Sequence, residues 1–192
     1  MIRTLFSLAL VMALTVGGAH AATPKKLGQY SYWSVYALKE GKSLTCYMSI
    51  TAKPPKTKKK MKRKRGDVTL MVTHRPDDGA LDVVSYAAGG RLKPASSVKT
   101  VIGDKSYSLF TNADTAWARD SATDHELAMA LRAGYYVTFL GRLSSGDKFA
   151  DTVNLKGSAK AYEAMSKACG VKILPVSSSV RPNYKKSKRK KR

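Results

Sequence analysis

Side chains able to do chemistry are sparse in this sequence. Of its three histidines, His74 and His125 lie beyond the first 21 residues. His74 has the pKa range of a general base, but it sits beside Arg75-Pro76 at the end of an extended stretch, where a histidine more often packs or faces water. His125 falls within Thr123-Asp124-His125-Glu126, which reads as a helix-capping box and leaves the imidazole exposed. Asp114, Asp120 and Asp124 are neighbours in sequence without the alternation of a calcium loop. There is no G-x-S-x-G, no H-E-x-x-H and no glycine-rich phosphate loop. No catalytic residue, metal ligand set or cofactor is therefore expected, and an enzyme ranks third among the readings of this chain.

The two cysteines, Cys46 and Cys169, show no C-x-x-C spacing. They point to a disulfide if the chain is exported, because such bonds persist in oxidising compartments. Closing a loop of about 120 residues stabilises a fold by roughly 4 to 5 kcal/mol in the chain-entropy model. Export is what the N-terminus suggests. Met1-Ile2-Arg3 is followed by an apolar run over residues 5–16, then Gly17-Gly18 and Ala19-His20-Ala21, the parts of a secretory signal cleaved after Ala21 or Ala22. The run is shorter than the roughly 20 apolar residues of a spanning helix. The expected organisation is a signal peptide at 1–21, one domain at 22–175 and a tail at 176–192.

The formal charge is +22, from 35 Lys and Arg against 13 Asp and Glu, and its distribution is uneven. Nine bases fall within residues 53–65 and seven within 185–192, with no acid in either stretch. Without these and Arg3, the rest of the chain holds 18 bases against 13 acids, an ordinary balance. The candidate anion-binding residues are Lys56, Lys58, Lys59, Lys60, Lys62, Arg63, Lys64 and Arg65 in the internal segment. In the tail they are Lys185, Lys186, Lys188, Arg189, Lys190, Lys191 and Arg192. Self-repulsion and the lack of apolar side chains predict that both stretches are solvated. Their natural partner class is a polyanion of the envelope or of a host surface. Neither stretch contains an aromatic residue to stack on a base, so nucleic acid is expected to bind only non-specifically in vitro.

The elements that carry these residues read as an all-β pattern of about eight strands: 30–38, 44–50, 68–73, 81–87, 97–102, 105–111, 135–142 and 148–155. Val68, Leu70 and Val72 share one face. Gly103-Asp104 between two β-rich runs predicts a type II′ hairpin, and Arg75-Pro76-Asp77-Asp78-Gly79 predicts a reversal. Two helices interrupt the pattern. One is capped by the box at Thr123 and ended by Gly134, and one spans 158–169 with Tyr162, Met165 and Cys169 inward and Gly170 as its stop. A Cys46–Cys169 bond would then staple helix to sheet. Trp117 and Arg119 form a possible recognition surface, although the usual burial of Trp favours a core position for Trp117, and more so for Trp33.

An ordered set of segments resembles the invasion-associated locus B family of bacteria, mostly alphaproteobacteria. They are Trp33, Lys64-Arg65-Gly66-Asp67-Val68, Val72-Thr73-His74-Arg75-Pro76, Asp82-Val83-Val84-Ser85, Phe110-Thr111, Asp114-Thr115-Ala116-Trp117-Ala118-Arg119-Asp120 and Ala168-Cys169-Gly170-Val171. The likeness spans about residues 27–171. It implies an exported, periplasmic or surface-associated immunoglobulin-like β-sandwich and suggests a part in contact with host cells. The basic segment and Lys-rich end depart from the family pattern. The resulting expectation is a non-enzymatic envelope protein whose basic loop and tail touch lipopolysaccharide, anionic phospholipid or a host glycan. The alternative is a structural or stress-related periplasmic protein whose lysines only solubilise it.

Overall fold

Alternation of apolar and polar residues builds the strands, as β4 (Val68–Arg75) illustrates: Val68, Leu70, Val72 and His74 are buried and the residues between them are less so. The structure, a computed structural model, describes residues 22–54 and 64–173. Residues 1–21, where a signal peptide was expected, residues 55–63 and the chain from 174 lie outside the described residues. The remaining strands are β1 (Lys25–Tyr30), β2 (Trp33–Glu40), β3 (Ser43–Ala52), β5 (Ala80–Ala87), β6 (Ser97–Ile102), β7 (Lys105–Asn112), β8 (Thr115–Trp117), β9 (Tyr136–Arg142) and β10 (Lys148–Asn154). The helices are α1 (Ser121–Ala133) and α2 (Ser158–Ala168).

The protein is mainly β, as expected, with ten strands in place of about eight. The additional ones are β1, an edge strand of mostly exposed residues with little apolar signal, and the three-residue β8, held between β5 and β7. All ten belong to one antiparallel sheet in the order β1-β2-β3-β4-β5-β8-β7-β6-β9-β10. The sheet folds over on itself, since the Tyr86 ring of β5 stacks on Phe139 of β9 with centroids 3.9 Å apart. That sandwich-like closure encloses one core, including Trp33, Met48, Leu70, Leu109, Phe139 and Leu131. Each buried side chain of this kind contributes roughly 1.5 to 3 kcal/mol.

The turns follow their local chemistry. Gly103 has φ 61° and Ile102 pairs with Lys105, as a two-residue hairpin opened by glycine requires. Pro76–Asp78 forms a 3-10 turn that ends on Gly79 at φ 66°. α1 begins earlier than the capping box implies. Asp120, not Thr123, is the N-cap, its carboxylate accepting the Thr123 N–H at 2.7 Å. Asp124 then lies one turn inside the helix and faces the sheet, where it accepts the Val84 N–H at 2.8 Å. α2 stops as predicted, with Gly170 at φ 65° and the Val171 N–H bonded to Ser166 O at 2.8 Å. Cys46 on β3 and Cys169 at the end of α2 are joined by a disulfide, with Cα atoms 5.9 Å apart.

Candidate functional site

The basic segment runs from the end of β3 to the start of β4, and its last residue departs from the charge-run reading. Arg65 was expected in a solvated arm; instead its side chain is 4 % exposed. It forms a forked pair with Asp151 of β10, from Nη2 to Oδ1 at 2.6 Å and from Nη1 to Oδ2 at 2.9 Å. Nη1 also donates to Ala88 O at 3.1 Å, and the guanidinium lies 4.8 Å from the centre of the Phe149 ring. The Tyr86 hydroxyl donates to the same carboxylate. Burial alone would lower the Arg65 pKa, but the hydrogen bonds and charge of Asp151 outweigh it and hold the guanidinium protonated. Burial, then the bond to Asp151, pushes the Tyr86 hydroxyl far up, so it stays a neutral donor. A carboxylate on the inward face of β10, between Phe149 and Val153, demands such partners.

The pair fixes the chain on the far side of residues 55–63 to the body of the fold. Around it the connections at this end are tied together. Gly66 N–H bonds Gly89 O at 2.7 Å, Ser144 N–H bonds Arg91 O at 2.9 Å, Lys93 N–H bonds Arg142 O at 2.9 Å and Leu92 N–H bonds Ala113 O at 2.8 Å. The approach of Gly66 to Gly89 needs a glycine: Gly89 has φ 66°, and a Cβ there would run into the carbonyl oxygens of Gly66 and Asp67. Lys53, Lys64, Arg91, Lys93 and Lys148 are exposed. Of the proposed anion-binding residues, Lys56, Lys58, Lys59, Lys60, Lys62 and Arg63 and the whole tail lie outside the described residues.

His74 belongs to a second, closed polar cluster beneath the helices. A bulge sets one β4 residue against two of β5 and leaves Asp82 at φ 59°. The Asp82 N–H thereby donates to His74 Nδ1 at 3.1 Å, which places the imidazole proton on Nε2, 3.1 Å from Ser166 Oγ of α2. The Asp82 carboxylate accepts from the Tyr162 hydroxyl at 2.7 Å and meets His125 Nδ1 at 2.6 Å. Burial lowers the His74 pKa despite the nearby carboxylate, so the ring is neutral. Burial also raises that of Asp124. His74 and Ser166 are both completely buried. A Ser–His contact with no access is a packing device, in keeping with the reading of His74 as a structural residue. His125 is exposed by about half, as the sequence suggested.

Trp33 is in the core, but Trp117 is only partly buried, because β8 ends there and the chain turns away to Asp120. Arg119 is exposed, with its guanidinium 5.9 Å from the Phe110 ring centre. A groove of about 680 Å³ between β1 and α2 is lined by Leu27, Tyr30, Ala164 and Ala168 with Lys160, Glu163 and Lys167, and has no nucleophile–base pair. Among the described residues no group of His, Cys, Asp and Glu is placed to hold a metal ion. No described helix is long and apolar enough to cross a membrane. Sequence reasoning missed Asp151, Tyr86 and Asp82, each an inward polar residue on an otherwise apolar strand face.

These features define a disulfide-stapled, mainly β domain with two helices packed on a folded-over sheet. The chain belongs to the invasion associated locus B family: residues 33–166 match the family described as Invasion associated locus B (IalB) protein. The match covers well over half of the chain and runs from the core tryptophan Trp33 to Ser166 in α2. This is an envelope-type, invasion-associated family and not a known enzyme family. No curated protein and no solved structure matches the chain.

Proposed function

We propose that this is an exported, non-enzymatic protein of the periplasm or cell surface that contacts an anionic surface through its Lys-rich internal segment and tail. The buried Arg65–Asp151 pair carries the reading. It separates the last base of the segment from the rest, spending a desolvated, doubly hydrogen-bonded arginine to seat the segment's end on the sheet. A stretch needed only for solubility has no use for such a seat. Each Lys or Arg near an anionic membrane contributes about 1 kcal/mol, so a segment held at one end of a rigid domain binds by summed charge without a shaped ligand. The disulfide fits an oxidising compartment. The surfaces that suit this chemistry are lipopolysaccharide, anionic phospholipid and sulfated host glycan.

The test is binding of the mature chain to lipopolysaccharide, anionic vesicles and heparin over a salt series, beside a variant lacking 55–63 and 185–192. Engagement of roughly 6 to 10 charges predicts a loss of about 10³ to 10⁵ in affinity between 50 and 200 mM salt. Deletion should abolish the binding that remains near 150 mM. Unchanged binding in the deletion variant would refute the reading.

A further inference from the structure

Beside the Arg65 seat is a cavity of about 170 Å³ lined by Lys64, Arg65, Gly90, Arg91, Leu143, Ser144 and Ser145. Two of its walls, at Arg91 and Ser144, are joined by the Ser144 N–H to Arg91 O bond, so the loops that form it are fixed relative to one another. The charged side chains of its lining, Lys64, Arg65 and Arg91, are all cationic. Lys64 and Arg91 are exposed and form no ion pair among the described residues. Arg65 is neutralised by Asp151 through its two terminal nitrogens, yet its buried Nε–H has no acceptor. Arg65 thus meets the cavity as a paired, buried residue, and the exposed charge there belongs to Lys64 and Arg91. One acid stands at the rim: Asp147, whose Oδ2 accepts from Ser145 Oγ at 2.7 Å. Against it are two uncompensated cations.

We propose that this cavity is an oxyanion pocket that takes one tetrahedral phosphate ester group, held by Arg91, Lys64 and the Ser144 hydroxyl. The inference rests on the polyanion reading above and adds to it a defined subsite at the foot of the basic segment. The size supports a single group. At about 170 Å³ the cavity falls below the roughly 300 to 1,000 Å³ of pockets for drug-sized ligands, which suits a small anionic group. An arginine and a lysine in one lining also supply the donor types that phosphate oxygens prefer. Lipid headgroups and phosphorylated glycans both carry such an ester, and the pocket reads what these share.

The experiment is a titration of the mature protein with inorganic phosphate, followed by backbone amide NMR, with sulfate and chloride at equal ionic strength as parallel arms. Saturable shifts confined to residues 64–66, 89–92 and 143–146 are expected, stronger for phosphate than for sulfate and absent for chloride. Arg91→Gln, an exposed side chain outside the buried pair, should weaken phosphate by about tenfold, the value of one charged hydrogen-bonding partner. Deletion of 55–63 should leave phosphate binding in place, because the lining residues remain. Shifts spread over the lysines of the whole domain, or an affinity unchanged by Arg91→Gln, would mean an adventitious ion only and overturn the proposal. Short-chain phosphatidic acid against a glycan phosphate then separates the two sources. The two readings fail separately: surface binding lost on deletion without a localised phosphate leaves the polyanion role standing and removes the pocket. A localised phosphate with deletion-insensitive surface binding does the reverse.

Discussion

The loop end around Arg65 and the helix-covered side around His74 both bury polar side chains, and they handle them in opposite ways. At His74 the groups are closed in by α1 and α2, the imidazole is kept neutral, and its two nitrogens are satisfied by Asp82 N–H and Ser166 Oγ. At Arg65 the charges are retained and paired, one donor is left over, and the site is flanked by exposed Lys64 and Arg91. Burial of polar groups is common to both, so it does not by itself mark a functional site. Access and uncompensated charge, at Lys64 and Arg91, set the Arg65 end apart from the closed one.

The disulfide lies on the closed side and should show the largest effect. Its cysteines are 123 residues apart, and replacing both by Ala should cost about 5 kcal/mol, read as a lower urea midpoint. Loss of α2 from the sheet without change at residues 64–67 would sharpen the contrast between the two regions. Equal disruption of both would break it. Next comes Asp151→Ala, which strands a buried guanidinium and should destabilise by about 3 to 5 kcal/mol. The double variant Arg65→Met with Asp151→Leu should recover most of that loss. If it recovered none, the pair would be doing something other than balancing charge. Gly89→Ala forces a side chain into a left-handed position against two carbonyl oxygens and should cost about 1 to 3 kcal/mol, with amide shifts at 64–67.

The smallest effect is a pH dependence of the closed side. The folded His74 pKa lies below its ordinary 6.5, so the unfolded chain takes up a proton first as pH falls. His74 therefore leaves stability intact above pH 6.5 and subtracts from it progressively as pH drops towards the folded value. Asp124, raised by burial, acts with the opposite sign near its ordinary range of 3.8. Urea midpoints at pH 7.5 and 5.5 should show a loss that His74→Gln reduces. An equal loss in that variant would move the titration to another group.

The parts of the fold written in short-range signals were legible. The hairpin at Gly103, the turn through Pro76, the inward stripe of α2 and the stop at Gly170 each depend on residues within a few positions of one another. The errors came where a local signal had a competitor. Thr123 looked like the cap of α1, but Asp120 with an extended backbone was better placed, and its acid is held ionised by the Thr123 amide. β8 is too short to show a period of two, and its pairing with β5 and β7 is what makes it a strand. The candidate site was legible as charge and not as geometry. Arg65 reads as one more base in a run of nine, while the clue to its role lay 86 residues away, in an acid on an apolar face.

By itself the sequence determined the β-rich pattern, the two cysteines, the concentration of charge and the likeness to a family, because composition and neighbouring residues suffice for these. The tertiary structure alone decided that Arg65 turns inward to Asp151 while Lys64 stays outside, that His74 closes on Ser166, and that three connections meet around one cavity. Those outcomes rest on contacts between distant positions, where the cost of burying a charge is met only by the partner that the folded sheet brings to it.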